Sequence, residues 1–259
     1  MISVITINFN NTSGLKNTIK SVNKQLTPVF EHIVIDGNSS DTSIADIQSD
    51  LKYYHTVISE PDAGIYDAMN KGISFAKGEY VLFLNSGDTF FSENSLTYFS
   101  SFLGHYDIIY GDMISNVNKE THYICYPEVL SLQYMLTAGL PHPSTIFRKS
   151  LFIEQIGLYD CNYKIIADWT FFMIAIFKCN INYKYIAQPI SSFEGDGKSS
   201  KKENIPLIIN EYFKFLRIHF KGDLEFFKSN NYIYKKFLRT TPRHIRWFIL
   251  CISNFKHIF

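Results

Sequence analysis

Gly78-Glu-Tyr-Val-Leu-Phe-Leu-Asn-Ser-Gly-Asp88 decides how the rest of the chain is read. Tyr80–Leu84 is a short, unbroken apolar run, and it ends in the polar turn Asn85-Ser86-Gly87-Asp88. A run this short, bounded by turn residues, suits a strand covered on both faces, as at the centre of a parallel sheet. Just before it, Pro61-Asp62-Ala63-Gly64 opens a helix that runs through Ala76 and is closed by Gly78. His55–Ser59 is β-rich. So is Ile33–Ile35, which ends at Asp36-Gly37, and Ser40 or Asp41 can cap the helix that follows. Val4–Phe9 is a first strand, followed by the polar turn Asn10–Ser13 and a helix with Leu15, Ile19 and Val22 at helical spacing. Strands alternating with helices predict an α/β fold, Rossmann-like, with a mostly parallel sheet flanked by helices.

Beyond about residue 112 the pattern loosens. Thr121–Tyr126 and Ser144–Phe147 are strand-like, Asp168–Phe177 and Ile205–Phe220 are helical, and Gly195–Ser200 is a Gly/Ser/Lys loop between them. No internal repeat is visible. Of the 259 residues 46% are hydrophobic and 19% charged, which excludes a disordered chain and leaves material for one large α/β domain with an appendage.

The net charge of +1 hides an asymmetry. Residues 1–227 carry 18 Lys and Arg against all 24 acids, and residues 228–259 carry seven Lys and Arg with no acid. Thr241 and Pro242 can start a tail helix with Ile245, Phe248, Ile249, Ile252 and Phe255 on one face and Arg243 and Arg246 toward the other. This reads either as a packed helix with a solvated basic face or as an amphipathic helix lying on an anionic membrane surface. Cys125, Cys161, Cys179 and Cys251 show neither a C-x-x-C pair nor zinc spacing and read as free thiols of a reducing compartment. The chain runs straight into an apolar strand without a basic leader, and its apolar runs are far shorter than the ~20 residues of a spanning helix. The expectation is a cytoplasmic protein, peripheral at the inner face of the plasma membrane.

In such sheets ligands bind beyond the carboxyl ends of the strands. The residues expected there are Asn8 and Asn10, Asp36, Glu60 and Asp62, and Asn85 to Asp88. Asp88 follows a buried strand and suits a hard divalent cation completed by phosphate oxygens, although Ser-Gly-Asp is also ordinary turn chemistry. Asp168 heads an apolar helix, where an acid can be a cap or a base. His142 stands between Pro141 and Pro143 and reads as a structural histidine or, second to Asp168, as an acceptor contact or metal ligand. No G-x-G-x-x-G, P-loop or G-x-S-x-G motif is present, which argues against a dinucleotide dehydrogenase, a P-loop enzyme and a serine hydrolase. Nothing points to nucleic acid.

Four stretches in this order resemble bacterial family-2 glycosyltransferases of O-antigen and exopolysaccharide assembly. They are Ser3-Val-Ile-Thr-Ile-Asn-Phe-Asn, Ile33-Val-Ile-Asp-Gly-Asn-Ser-Ser-Asp-Thr-Ser, Ser59-Glu-Pro-Asp-Ala-Gly-Ile-Tyr-Asp-Ala-Met-Asn-Lys-Gly-Ile and the Gly78–Asp88 stretch, with Asp168-Trp169 as a later match. The resemblance covers roughly residues 2–200. It implies a GT-A fold and transfer of a hexose or N-acetylhexosamine from a nucleotide sugar, UDP-linked in most relatives, with inversion. The acceptor it implies is a sugar or oligosaccharide carried on a lipid diphosphate. By resemblance Asp36 meets the nucleobase, Asp62, Asn70 and Lys71 line the nucleoside side, and Asp88 closes the metal-binding motif for Mn²⁺ or Mg²⁺. Asp168 resembles the catalytic base, and the Gly195–Ser200 loop, with Lys198, a lid near the pyrophosphate. Asn8, Asn85 and Ser86 are further donor contacts. Asn85 and Gly87 stand where the usual motif carries acids, which keeps open a non-catalytic nucleotide-sugar-binding subunit of the same fold. The expected division is residues 1–110 for the donor half, 111–222 for the acceptor and catalytic half, and 223–259 for the helical, basic tail.

Overall fold

The computed structural model describes residues 1–26, 30–117, 120–194 and 201–221. The sequence-derived loop at 195–200, Lys198 with it, and the basic tail lie outside them. The chain divides into two units: Met1–Val129 with Leu140–Gly197, and Leu130–Gly139 with Lys198–Phe259.

The first unit is built on a nine-stranded sheet. Strands β1 (Ile2–Asn8), β2 (Phe30–Asp36), β3 (His55–Ser59) and β4 (Tyr80–Phe83) are parallel, in the order β3-β2-β1-β4. Between them lie helices α1 (Thr12–Asn23), the short α2 (Ser43–Asp46) and α3 (Ile65–Phe75). Leu15 and Ile19 of α1 pack on Val34 with Ile47 on one face. On the other face α3 approaches β1 so closely that a Cβ on Gly72 would overlap the Ile5 side chain. This contact admits only glycine without a shift of the helix.

The parallel order stops at β4. Its second neighbour is β8 (Thr145–Arg148), which runs antiparallel to it, and β8 in turn pairs antiparallel with β6 (Ile108–Val117). The outer half of β6 pairs with β7 (Glu120–Ile124), and its other edge runs parallel to β9 (Tyr183–Glu194), which holds the short β5 (Thr89–Phe90) antiparallel. The β6–β9 register slips on either side of Asp112, where Pro189 stands opposite and offers no N–H to the ladder. The sheet is thus mixed: all parallel in its first half, and antiparallel in its second apart from the parallel β6–β9 pair. Helices α4 (Thr97–Ser100) and α6 (Ala167–Phe177) complete the unit. Helix α6 buries residues around its whole circumference, and Phe171 stacks on Phe152 with centroids 4.3 Å apart. Each fully buried Phe of this cluster contributes roughly 1.5–3 kcal/mol.

In the second unit Ser131 caps α5 (Leu132–Thr137) by accepting from Tyr134 N, and α7 (Ile205–His219) buries Phe215 and Leu216. Among the described residues no helix is long and apolar enough to cross a membrane. Cys125, Cys161 and Cys179 are free thiols.

Candidate active site

The carboxyl edge of β1, β2 and β4 is tied together by side chains. Asp36 is fully buried, and its carboxylate accepts from Asn8 Nδ2 at 2.7 Å, Ser39 Oγ at 2.5 Å, Ser39 N at 3.0 Å and Ser59 Oγ at 2.6 Å. Burial works to raise its pKa, but hydrogen bonds from Ser39, Ser59 and Asn8 outweigh it and hold the carboxyl below its ordinary value. Asn8 Oδ1 in turn accepts from Ser86 Oγ at 2.8 Å. Asn8, Asp36 and the half-buried Ser86 therefore form one hydrogen-bonded chain, and four donors fill the roughly four acceptor positions of the Asp36 carboxylate.

Helix α1 fixes the turn after β4. Asn11 caps the helix through Gly14 N and donates to Ser86 O, while Thr18 Oγ1 lies 2.7 Å from Asp88 O and accepts from Gly87 N at 3.0 Å. Gly87 has φ +108°, a conformation that a side chain would strain. Asp88 is 5% exposed, and its Oδ1 faces Glu194 N at 3.4 Å. Asn85 Oδ1 is buried without a hydrogen-bond partner.

Beside this knot, Phe9 is 65% exposed at the end of β1. A Cβ on Gly37 would meet Asp62 Oδ2 at 2.5 Å and the Phe9 ring at 3.1 Å, so the absent side chain lets Asp62 and Phe9 close over this position. Asp62 Oδ1 accepts from Gly64 N at 2.8 Å. An exposed aromatic face beside a carboxylate matches what a nucleobase offers, a π-surface with N–H donors at its edge. Lys71 of α3 turns back along the helix to Asp67 at 3.8 Å and to the loop before it, pairing with Glu60 at 2.8 Å and donating to Pro61 O. The Glu60 hydrogen bond leads in raising its pKa. Asn70 clamps the backbone of Tyr159 from both sides, donating to its O at 2.9 Å and accepting from its N at 3.0 Å.

Asp168 stands in the first turn of α6 but is not its cap. The cap residue is Ile166, with no side-chain capping bond. Asp168 Oδ1 accepts instead from Tyr66 Oη of α3 at 2.8 Å, and its other oxygen makes no hydrogen bond among the described residues. Nearby, His142 Nε2 lies 2.8 Å from Tyr159 Oη, and its ring stacks on Phe83 at 4.8 Å. Burial lowers the pKa of His142, partly offset by the Asp168 charge, and burial followed by that charge raises Tyr159 well above its ordinary value. Both groups are therefore neutral at neutral pH. Asp168 is left as a half-engaged carboxylate among neutral, aromatic neighbours, an arrangement suited to taking a proton.

Among the described residues no three His, Cys, Asp or Glu side chains gather as a metal site. What the turn after β4 offers a hard cation is the Asp88 carboxylate and the orphaned Asn85 carbonyl oxygen. Oxygen donors of this kind fit Mg²⁺ or Mn²⁺, ions that keep several positions for water and phosphate oxygens. Phe9, Tyr66, Tyr159 and Thr18 were not singled out by the sequence reading. The available signal was an aromatic at a strand end for Phe9 and, for Tyr66, a core-facing tyrosine whose hydroxyl needs a partner.

The profile of glycosyl transferase family 2 matches residues 3–152. An uncharacterized glycosyltransferase of Mycobacterium tuberculosis is 35% identical over 187 residues, 69% of this chain and 70% of that protein. A PGL/p-HBAD biosynthesis glycosyltransferase of Mycobacterium bovis is 29% identical over 177 residues, 66% of this chain and 68% of that one. Among solved structures, S. aureus TarS 1–349 in complex with UDP-GlcNAc superposes with a TM-score of 0.64 at 21% identity, over 84% of this chain. This chain spans 64% of that TarS chain.

Proposed function

The chain belongs to glycosyl transferase family 2 and has the GT-A fold, and from that premise we propose that it moves a hexose or N-acetylhexosamine from a UDP-sugar onto a lipid-diphosphate-linked sugar, with inversion. The observation that carries this reading is the Asp168 carboxylate, held by one oxygen, free of capping duty and walled by neutral groups. A binding subunit has no need of such a group. In-line displacement needs a base within reach of the acceptor hydroxyl and stabilisation of the departing diphosphate.

The roles proposed for the site residues are these. Phe9 and Asp62 receive the base. Asp36, whose oxygens are taken up by Asn8, Ser39 and Ser59, is assigned in this reading to holding the loop that presents them, in place of the direct base contact that the resemblance implies. Asn70 sets Tyr159, and through it His142, beside Asp168. Lys71, tied to Glu60 and Pro61 O, shapes the 60–64 loop that leads into α3. Asp88 and Asn85 would hold a divalent cation, which when bound neutralises charge on the diphosphate. Residues 1–110 serve the donor and 111–222 the acceptor. The UDP preference draws on the TarS complex and the lipid-linked acceptor on the family resemblance. The basic run 228–259 supports, on sequence grounds, a docking role at an anionic bilayer.

The test is to incubate the full chain with Mn²⁺, a panel of UDP-, GDP- and dTDP-sugars and a lipid-diphosphate sugar analogue, and identify products by mass spectrometry. A product one sugar heavier from a UDP donor is expected. Absence of transfer from every donor, despite donor binding, would favour the binding-subunit reading.

A further inference from the structure

Tyr66 has one hydroxyl proton and two acceptors. Its Oη lies 2.8 Å from Asp168 Oδ1 and 2.6 Å from Ile165 O, in a side chain only 6% exposed. Neither acceptor can donate while Asp168 is ionised, so the single proton serves one of them at a time. A hydrogen bond to a charged acceptor is about twice as strong as one to a neutral group. The proton therefore goes to Asp168 while that group is a carboxylate. Once Asp168 is neutral the advantage disappears, and the nearer backbone carbonyl competes for it.

We propose that Tyr66 is a positioning residue for the base: its hydroxyl holds Asp168 when ionised and turns to Ile165 O once Asp168 has taken the acceptor's proton. This rests on the reading of Asp168 as the base. In the step itself, the acceptor hydroxyl proton passes to Asp168 Oδ2, the oxygen Tyr66 does not touch. The electron pair left on the acceptor oxygen forms the bond to the anomeric carbon. The bond from that carbon to the donor's phosphate oxygen breaks, and its pair leaves on the diphosphate. Tyr66 gains and loses nothing; only its O–H rotates.

The surroundings favour this role. The groups facing Asp168 are Tyr66 from α3, Tyr159 from the segment before α6 and His142 from the 3-10 turn His142–Ser144. Tyr159 Oη is paired with His142 Nε2 and makes no hydrogen bond to Asp168, which leaves Tyr66 as the side-chain donor to Asp168 among the described residues. Burial first, then the Asp168 charge and the bond to it, push the Tyr66 phenol well above its ordinary value, so it remains a donor throughout the working range. Tyr66 also lies in the segment that presents Asp62, so one helix and the turn before it serve both the nucleoside side and the base.

The first arm of the test needs no substrate. The ¹³Cγ signal of Asp168 in aspartate-labelled protein, assigned by its loss in Asp168→Asn, is followed against pH in the full chain, in Tyr66→Phe, and with 3-fluorotyrosine at position 66. A bond to the ionised form favours ionisation, so losing it in Tyr66→Phe should move the titration to higher pH. Fluorotyrosine, a stronger donor of nearly the same shape, should move it lower, which keeps the test open if the Phe variant folds poorly. In turnover, Tyr66→Phe should lower kcat, leave the donor KM within twofold and shift the acid limb of the kcat–pH profile the same way. A titration that neither substitution moves would overturn the proposal, whatever happens to thermal stability. Full turnover in Asp168→Asn would instead remove the base reading on which it rests.

Discussion

Replacing Asp36 with Asn should cost folding stability more than it costs ligand recognition. The carboxylate is fully buried; Oδ1 accepts from Asn8 Nδ2 and Ser39 Oγ, and Oδ2 from Ser39 N and Ser59 Oγ. Asn keeps one of these oxygens and puts an NH₂ in place of the other, so either orientation of the amide leaves two donors facing a donor. The serine hydroxyls can rotate away, but the Ser39 N–H and the Asn8 amide cannot both be served. One buried donor left unmet costs about 1–3 kcal/mol, and the surviving bonds drop from charged to neutral strength. The sum is about 3 kcal/mol, readable as a lower urea midpoint at pH 7 with unchanged slope. The pH dependence has a definite sign. The folded pKa lies below the ordinary 3.8 because the hydrogen bonds outweigh burial. The stabilisation is therefore fully present above 3.8 and is lost as pH falls through the lower folded value. The gap between the two proteins should be constant from neutrality down to about pH 5 and should narrow below 3.8. A gap under about 1 kcal/mol at pH 7, with UDP binding lost instead, would show that Asp36 faces the nucleobase and that its apparent saturation is irrelevant.

Phe9→Ala should weaken UDP binding by about tenfold, the lower end for an aromatic stacked on a base, and leave the melting temperature unchanged, because the ring is 65% exposed; titration calorimetry and a thermal melt read both. Gly72→Val should destabilise by about 2 kcal/mol or more, since even a Cβ there overlaps Ile5; an unchanged melting temperature would mean that α3 can slide on the sheet. Asp88→Ala should abolish the Mn²⁺-dependent part of donor binding, and EDTA should do the same to the unmodified protein. Full transfer in EDTA together with a harmless Asp88→Ala would remove the metal from the scheme.

The first half of the fold was legible because its signals are local. His55–Ser59 appears at the bounds read from the sequence, and the helix expected after Gly64 runs from Ile65 to Phe75. In the second half the stretches at 121–126, 144–147, 168–177 and 205–220 appear as β7, β8, α6 and α7, but the long strands β6 and β9 and the pairing were not legible. Strand β9 carries Pro189 in its interior and an irregular burial pattern, and its pairing with β6 slips at Asp112, so neither alternation nor composition marks it. The antiparallel partner of β4 is equally invisible to a local pattern, because β8 is separated from it by some sixty residues of chain. At the site, the polar residues after β1, β2 and β4 could be read as one edge, but how each spends its hydrogen bonds could not. Asp36 and Asn8 satisfy each other, Lys71 satisfies Glu60, and Asn70 grips a backbone far along the chain. Asp168 shows the reverse. Its position at a helix start suggested a cap, and only the tertiary contact with Tyr66 separates it from that duty.

The central claim is that Asp168 removes the acceptor proton, and single-turnover transfer by Asp168→Asn tests it most directly. Asn fills the same volume and can still meet Tyr66, so donor binding and the melting temperature should stay close to those of the unmodified protein. The rate of sugar transfer should fall by about two to four orders of magnitude, the range of general base catalysis. A variant that transfers sugar at nearly the original rate, or loses rate only in proportion to lost folded protein, would contradict the claim and return Asp168 to a structural role at the head of α6.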